Sequence, residues 1–166
     1  MMQIRLRDVT SDDLDMLREH RNQLGTRCWL GDDREISEAD QRRWFESGGA
    51  QGVRIVMLGH PVGIVRVSVS GEVGCDVFEP YRGKGYGRRL FSAACGTTLA
   101  LMGERSSYKL WLKVVLQNAP ALRIYTRAGF VIPPGYPVEV LSSRRIPGRD
   151  QPVDLHYVYM EQEFYR

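Results

Sequence analysis

At 166 residues, 43% hydrophobic and 26% charged, the chain has the length and composition of one ordinary globular domain that needs no disulfide or metal staple. No apolar run approaches a membrane span, and the opening "MMQIRLRDVT" lacks the apolar stretch of a secretory signal, so no membrane partner is expected. A net charge of +3 is too small to argue for nucleic acid. Cys28, Cys75 and Cys95, odd in number and without CxxC spacing, indicate neither a disulfide framework nor a metal site, which points to a reducing cytoplasm.

In chain order, "QIRLRDV" (residues 3–9) alternates as a strand and runs into Thr10 and Asp13, which have capping-box spacing ahead of a helix from about Asp12 to Gln23. "RCWLGDDRE" reads as loop. Ser37 with Asp40 forms a second capping box and opens a short helix through "SEADQRRWFES". "GVRIVMLG" and "PVGIVRVSVS" read as strands joined at Gly59-His60. The second places Val65, Val67 and Val69 on one face and Arg66, Ser68 and Ser70 on the other. "EVGCDVF" is a further strand after a tight turn at Ser70-Gly71. A helix to about Met102 follows, with Gly87, Leu90, Phe91, Ala94, Thr98 and Leu101 on its inner face. "YKLWLKVVL" is a buried-looking strand, "NAPALRIYTRAG" a helix closed by Gly129, and "LHYVYMEQEF" the last strand. Residues 131–152, rich in Pro, Gly and Arg, read as a broken strand and a mobile loop. The expectation is one α+β domain over residues 1–166, without repeat or linker.

The stretch that asks for a function is "RGKGYGRR". Gly83, Gly85 and Gly87 stand at every second position between a strand and a helix, among Arg82, Lys84, Arg88 and Arg89. Unpaired N–H groups at a helix start favour an anion, the absence of Cβ atoms lets the backbone close on a diphosphate, and the cations add to it. A Walker loop is excluded because Gly85, not Ser or Thr, follows Lys84. A dinucleotide fingerprint is excluded because Arg occupies position 88 and an antiparallel hairpin precedes the loop. Spacing by itself leaves a glycine-rich turn on a basic surface as an equal reading.

"RGKGYG" resembles the R/Q-x-x-G-x-G/A pyrophosphate loop of the GNAT acyltransferase superfamily, in position as well as in letters. "NAPALRIYTRAGF" is similar to that family's N-x-x-A-x-x-x-Y-x-x-x-G-F segment, in register at Asn118, Ala121, Tyr125, Gly129 and Phe130. The resemblance covers most of the chain from Val53 onward. It implies a GNAT-like mixed, mostly antiparallel twisted sheet flanked by helices. It also implies acetyl-coenzyme A as cosubstrate, bound by Arg82, Gly83, Lys84, Gly85, Tyr86, Gly87 and Arg88, with the protein acting as an N-acetyltransferase.

Acyl transfer from a thioester to an amine needs the amine deprotonated, the oxyanion stabilised and the departing thiolate protonated. By the resemblance, Tyr125 is the phenol that protonates the coenzyme A sulfur; by helix position it is equally a tyrosine packed beside Phe130. Asn118 is an N-cap, a partner of the pantetheine arm, or both. The strand "GEVGCDVF" is expected beside that arm, with the Val77 N–H toward the thioester oxygen and Val77 and Phe78 pairing with the arm. For a general base, Asp76 is preferred over Glu72 and Glu79; each also reads as a solvated strand edge.

The segment from Leu17 to Ser47 resembles the ribosomal-protein and amino-sugar acetyltransferase branch, with the pair Arg21-Asn22 and the helix bearing Trp44-Phe45. The chain carries His20 where tryptophan is common and Gln41 where histidine is common. Arg21, Asn22, Trp29 and Trp44 are the expected acceptor-binding residues, with Arg27 and Arg34 beside them and Arg144, Arg145 and Arg149 on the facing loop; positive charge on both walls favours an acceptor that carries phosphate, while as single residues they also read as surface and packing. The acceptor expectation is a small-molecule amine, an amino sugar or its nucleotide. A protein N-terminus or lysine is the alternative, and a non-catalytic coenzyme A-binding module a third. A homodimer is left open.

Overall fold

The computed structural model describes residues 3–165; residues 1–2 and 166, which close the expected domain range, lie outside the described residues. Local capping sets where the first helices begin. After strand β1 (Arg5–Asp8), the Thr10 N–H donates to Asp13 at 2.8 Å, and a 3₁₀ turn at Ser11–Asp13 leads into α1 (Leu14–Asn22). Arg7 grips the same carboxylate with two nitrogens at 2.6 and 2.7 Å, fixing β1 to the start of α1. The short α2 (Leu24–Arg27) follows within the segment read as helix end and loop. Helix α3 (Glu38–Glu46) starts at the Ser37/Asp40 capping box, reciprocal at 3.1 Å in each direction.

Two antiparallel sheets follow. The first has the order β1-β2-β3-β4, with β2 at Val53–Met57, β3 at Pro61–Arg66 and β4 at Gly74–Val77. The second has the order β5-β7-β6, with β5 at Ser107–Val115, β6 at Glu139–Arg144 and β7 at Val153–Tyr165. Between them in sequence run α4 (Tyr86–Leu101), and α5 (Ala119–Arg127) after β5. Among the described residues the sheets join at one parallel bridge, Glu72 with Trp111. The Val73 N–H donates to the Trp111 carbonyl at 2.9 Å, and the Trp111 N–H to the Gly71 carbonyl at 2.9 Å. Glycine is needed at 71: its φ is +89°, and a Cβ there would lie 2.2 Å from the Lys109 carbonyl oxygen.

The core packs on both faces of this pair of sheets. Leu90 and Ala94 of α4 meet Val56, Val62 and Val65 of the first sheet, while Phe91 and Tyr125 meet Leu110, Leu112, Val158 and Met160 of the second. On the opposite face, Leu17 of α1 and Trp44 and Phe45 of α3 cover Val53, Ile55 and Phe78.

Three sequence expectations change. Strand β3 ends at Arg66 rather than running to Ser70, because the Ser68 hydroxyl accepts the Ser70 N–H at 3.1 Å and turns the chain. Val69 is therefore 65% exposed while Val67 is buried. Leu101, expected inside, ends α4 in solvent at 46% exposure. Within residues 131–152 the broken strand is β6, and the stretch up to Arg144 is packed on β7. Val131 bridges Glu161, the Tyr136 ring stacks on Tyr159 at 4.4 Å, and β6 pairs with β7 through a bulge between Val140 and Ser142.

Candidate active site

Among the described residues the bridge of Glu72, just before β4, to Trp111 in the middle of β5 does not continue into a β4–β5 ladder, and this leaves one edge of β4 unpaired and a gap beside it. The Phe78 N–H donates to the Val62 carbonyl at 3.0 Å. The alternation of an antiparallel ladder then turns the backbone groups of residues 74, 76 and 78 toward β3 and those of Cys75 and Val77 into the gap. Val77 therefore presents its N–H on the unpaired edge of β4. Phe78 is not free in the same way: its N–H serves the sheet, its carbonyl accepts the Tyr81 N–H at 2.8 Å, and its ring is buried under α1. Side chains alternate too. Cys75 and Val77 face α4, and Asp76 and Phe78 face α1.

Beyond a 3₁₀ turn at Glu79–Tyr81, the glycine loop delivers the chain to the start of α4. Gly83 and Gly85 have φ of +73° and +80°, and a Cβ on either would meet nothing within 4 Å. The ground over the loop is open, and the left-handed backbone selects glycine. The first N–H groups of α4 lack intrahelical acceptors, and no acidic side chain occupies that turn. These features fit a diphosphate. Gly87 serves packing instead, since a Cβ there would stand 2.6 Å from Ile124 Cδ1. Lys84 is exposed, its Nζ donating to the Pro80 carbonyl at 2.8 Å and standing 5.8 Å over the Tyr81 ring. Arg88 is exposed on the first turn, and Tyr86 is half-buried, edge-on to Tyr81.

The Arg82 side chain turns away from the loop. Its Nε donates to the Val77 carbonyl at 2.9 Å, Nη1 to the Gly25 carbonyl at 3.1 Å, and Nη2 to Thr26 Oγ1 at 2.7 Å and Asp76 Oδ1 at 3.3 Å. It fastens the end of β4 to α2. Its expected place among the diphosphate cations is therefore not where the side chain lies.

Tyr125 is buried, packed on Phe91 at 4.6 Å and in the same cluster as Cys75 of β4. Burial raises its pKa well above the ordinary phenol value, and the Cys75 and Asp76 charges add to the rise. Such a phenol keeps its proton through neutral pH and is present there as the neutral acid. Burial likewise pushes the Cys75 thiol up to about 12, so it is no nucleophile. Asn118 is the N-cap of α5, its Oδ1 accepting the Ala121 N–H at 3.3 Å.

On the α1 face, Asp76 Oδ2 lies 2.7 Å from His20 Nε2, with the His20 ring edge-on to Phe78 at 4.7 Å. His20 was not among the expected site residues. Its one sequence signal is position, three residues after Leu17 on the buried stripe of α1, where an ionisable side chain needs a partner.

The expected acceptor residues are placed less freely. Arg21 donates to the Arg34 carbonyl at 3.2 Å and to the Asp32 carbonyl, and Asn22 clamps Ile36 with two bonds of 2.9 Å. Arg27 holds the Asp33 carbonyl at 2.8 Å. Trp44 packs under the first sheet, with a Cβ on Gly49 barred by its indole. Trp29 is half-buried on the turn after α2. Arg144, expected on the facing loop, is buried: Nη2 donates to the Gly31 carbonyl at 2.8 Å, Nη1 to the Leu30 carbonyl, and Nε to Ser142 Oγ at 2.9 Å.

Two antiparallel sheets joined at one bridge, a glycine loop at a helix start and a buried phenol beside β4 are the frame of an acyl-coenzyme A-dependent transferase fold. Residues 14–130 match the acetyltransferase (GNAT) family, and the chain belongs to it. It is an acetyl-coenzyme A-dependent N-acetyltransferase. Among solved structures it is similar to the spermidine N-acetyltransferase from Vibrio cholerae in complex with CoA and spermine, at 22% identity and a TM-score of 0.72, covering 96% of each chain. It is also similar to the ribosomal-protein-alanine N-acetyltransferase from Brucella melitensis, at 18% identity and a TM-score of 0.67, covering 96% of this chain and 99% of that one. No curated protein matches it by sequence. These likenesses carry the fold and do not single out the narrower branch expected from the Trp44-Phe45 helix. No helix among the described residues is long and apolar enough to cross a membrane.

Proposed function

We propose that the chain acetylates the primary amine of a small molecule, with the thioester held in the gap between β4 and β5. One observation carries this reading: the gap brings the gap-facing edge of Val77, the Tyr125 phenol and the Asp76 carboxylate to one end of one strand. Acetyl-coenzyme A supplies the activated acetyl group. Residues 83–88 hold its diphosphate, and the amide nitrogen of Asn118 is available to the pantetheine arm while its oxygen caps α5. The Val77 N–H faces the thioester oxygen, as an oxyanion donor must. Tyr125 Oη holds the proton that the leaving sulfur takes. Asp76, whose side chain is 34% exposed, receives the ammonium proton through water.

The case for a phosphate-bearing acceptor rested on free cations along both walls. Arg21, Arg27, Arg34 and Arg144 instead bind carbonyls and carboxylates of the chain itself. That support falls away, and the reading kept is a small primary amine, with amino sugars and polyamines the classes to compare. The experiment is thiol release from acetyl-coenzyme A with a polyamine, an amino sugar, a nucleotide-linked amino sugar and a short peptide. The expected result is faster turnover of the small amines. A peptide preference above about tenfold, worth about 1.4 kcal/mol in the transition state, overturns it.

A further inference from the structure

Nothing in the sequence reading gives His20 a task, yet it is the most deeply buried group touching Asp76. The imidazole is 6% exposed, its Nε2 lies 2.7 Å from Asp76 Oδ2, and its Nδ1 is buried with no hydrogen-bond partner. That asymmetry assigns the tautomer. A proton on Nδ1 would be a buried donor with no acceptor, whereas a proton on Nε2 is met by the carboxylate. Nδ1 is also closed to solvent beside Phe78, so it cannot reach an amine and His20 is not itself the base. Its Nε2–H fixes one carboxylate oxygen while Arg82 Nη2 holds the other at 3.3 Å.

We infer that His20 is a positioning residue for acetyl transfer: its Nε2–H sets the orientation of the Asp76 carboxylate, so that the exposed third of that side chain presents its remaining lone pairs to the acceptor ammonium. The inference rests on the proposed role of Asp76. Its physical basis is that a carboxylate has four acceptor sites and the two observed donors leave some of them open. An unrestrained aspartate at a splayed strand edge would sample several rotamers, and misplacement of a reacting group by about 1 Å costs on the order of a hundredfold in rate. The same bond ties α1, which carries the acceptor-side residues, to β4, which carries the gap. The two side chains that hold the Asp76 carboxylate are thus His20 from α1 and Arg82 from the segment after β4, with Tyr125 and Cys75 on the far face.

The test compares His20→Leu, which removes the donor, with His20→Gln, whose amide N–H can replace it. His20→Leu should lower kcat/KM for the amine by roughly ten- to a hundredfold while acetyl-coenzyme A affinity, read by calorimetry, stays within about twofold. His20→Gln should recover to within about threefold of the parent, and His20→Leu added to Asp76→Asn should cost little beyond Asp76→Asn alone. Equal losses in Leu and Gln variants, or a fully additive double variant, reduce His20 to packing and overturn the inference. If His20→Leu does not fold, His20→Gln decides: a loss above about tenfold overturns the inference, and near-parent activity supports it. Absence of thiol release by the parent with any amine would instead sink the acetyl-transfer reading. Unaltered activity of Asp76→Asn would sink the role of Asp76.

Discussion

The two flanks of β4 are built on opposite plans. On the flank of the gap and the glycine loop, the groups on offer are backbone N–H groups left open by an unpaired strand edge and by a helix start. On the α1 flank, the polar side chains that the acceptor expectation named from α1 and β6 are bonded within the chain: Arg21 and Asn22 to residues 32–36, Arg144 to residues 30–31. A diphosphate pocket made of main chain can be written in a short motif. A wall made of mutually bonded side chains cannot, and its members divide between shaping the cleft and lining it.

Substitutions that respect this division should separate binding, chemistry and stability. The largest effect belongs to Gly85→Leu. A side chain would fill the open ground over the loop, and the φ of +80° would add strain of about 1–2 kcal/mol without unfolding the domain. Acetyl-coenzyme A binding should disappear in a calorimetric titration, with circular dichroism unchanged. Retained affinity would place the diphosphate elsewhere.

Tyr125→Phe keeps the contacts with Phe91 and removes only the hydroxyl. Turnover should fall by roughly ten- to a thousandfold with acetyl-coenzyme A affinity nearly constant. Because the phenol pKa is raised, the parent should keep this advantage through neutral and mildly alkaline pH. An unchanged rate in the variant would leave Tyr125 a packing residue.

Arg144→Met probes the other flank. It removes a buried guanidinium that staples β6 to residues 30–31, and about 3 kcal/mol of stability should go with it, or roughly 6–12 °C in Tm. Acetyl-coenzyme A affinity should hold. A variant as stable as the parent would show that Arg144 is there for a ligand after all.

The smallest effect is a pH dependence at the root of α1. Arg7, with help from Thr10, holds the buried Asp13 carboxylate down to about 2. A carboxyl depressed in the folded state contributes stability above its unfolded pKa of about 4 and loses it as pH falls through about 2. That contribution is on the order of 2 kcal/mol. Unfolding free energy should therefore drop between about pH 4 and pH 2, and Asp13→Asn should flatten the slope in that window; an identical slope in the variant would clear Asp13 of the effect.

What the sequence determined by itself was everything local. The capping boxes at Thr10/Asp13 and Ser37/Asp40, the strand-to-helix glycine loop, and Tyr125 in phase with Asn118 on α5 depend on neighbours within one or two turns, and their spacing encodes them. Alternation also places Val77 on the opposite edge from Phe78 once β3 and β4 pair, although which edge opens to the gap needed the register. Tertiary structure decided the rest, because it depends on which partner a side chain finds across the fold. His20 meets Asp76 fifty-six residues away, Arg82 reaches back to Thr26, and Arg144 crosses to Gly31. A long cation has enough reach and rotamers to serve a ligand or a carbonyl equally well, so its letter carries no direction. Only the packing of α1 and α2 at β4, and of β6 at the turn after α2, chose for it.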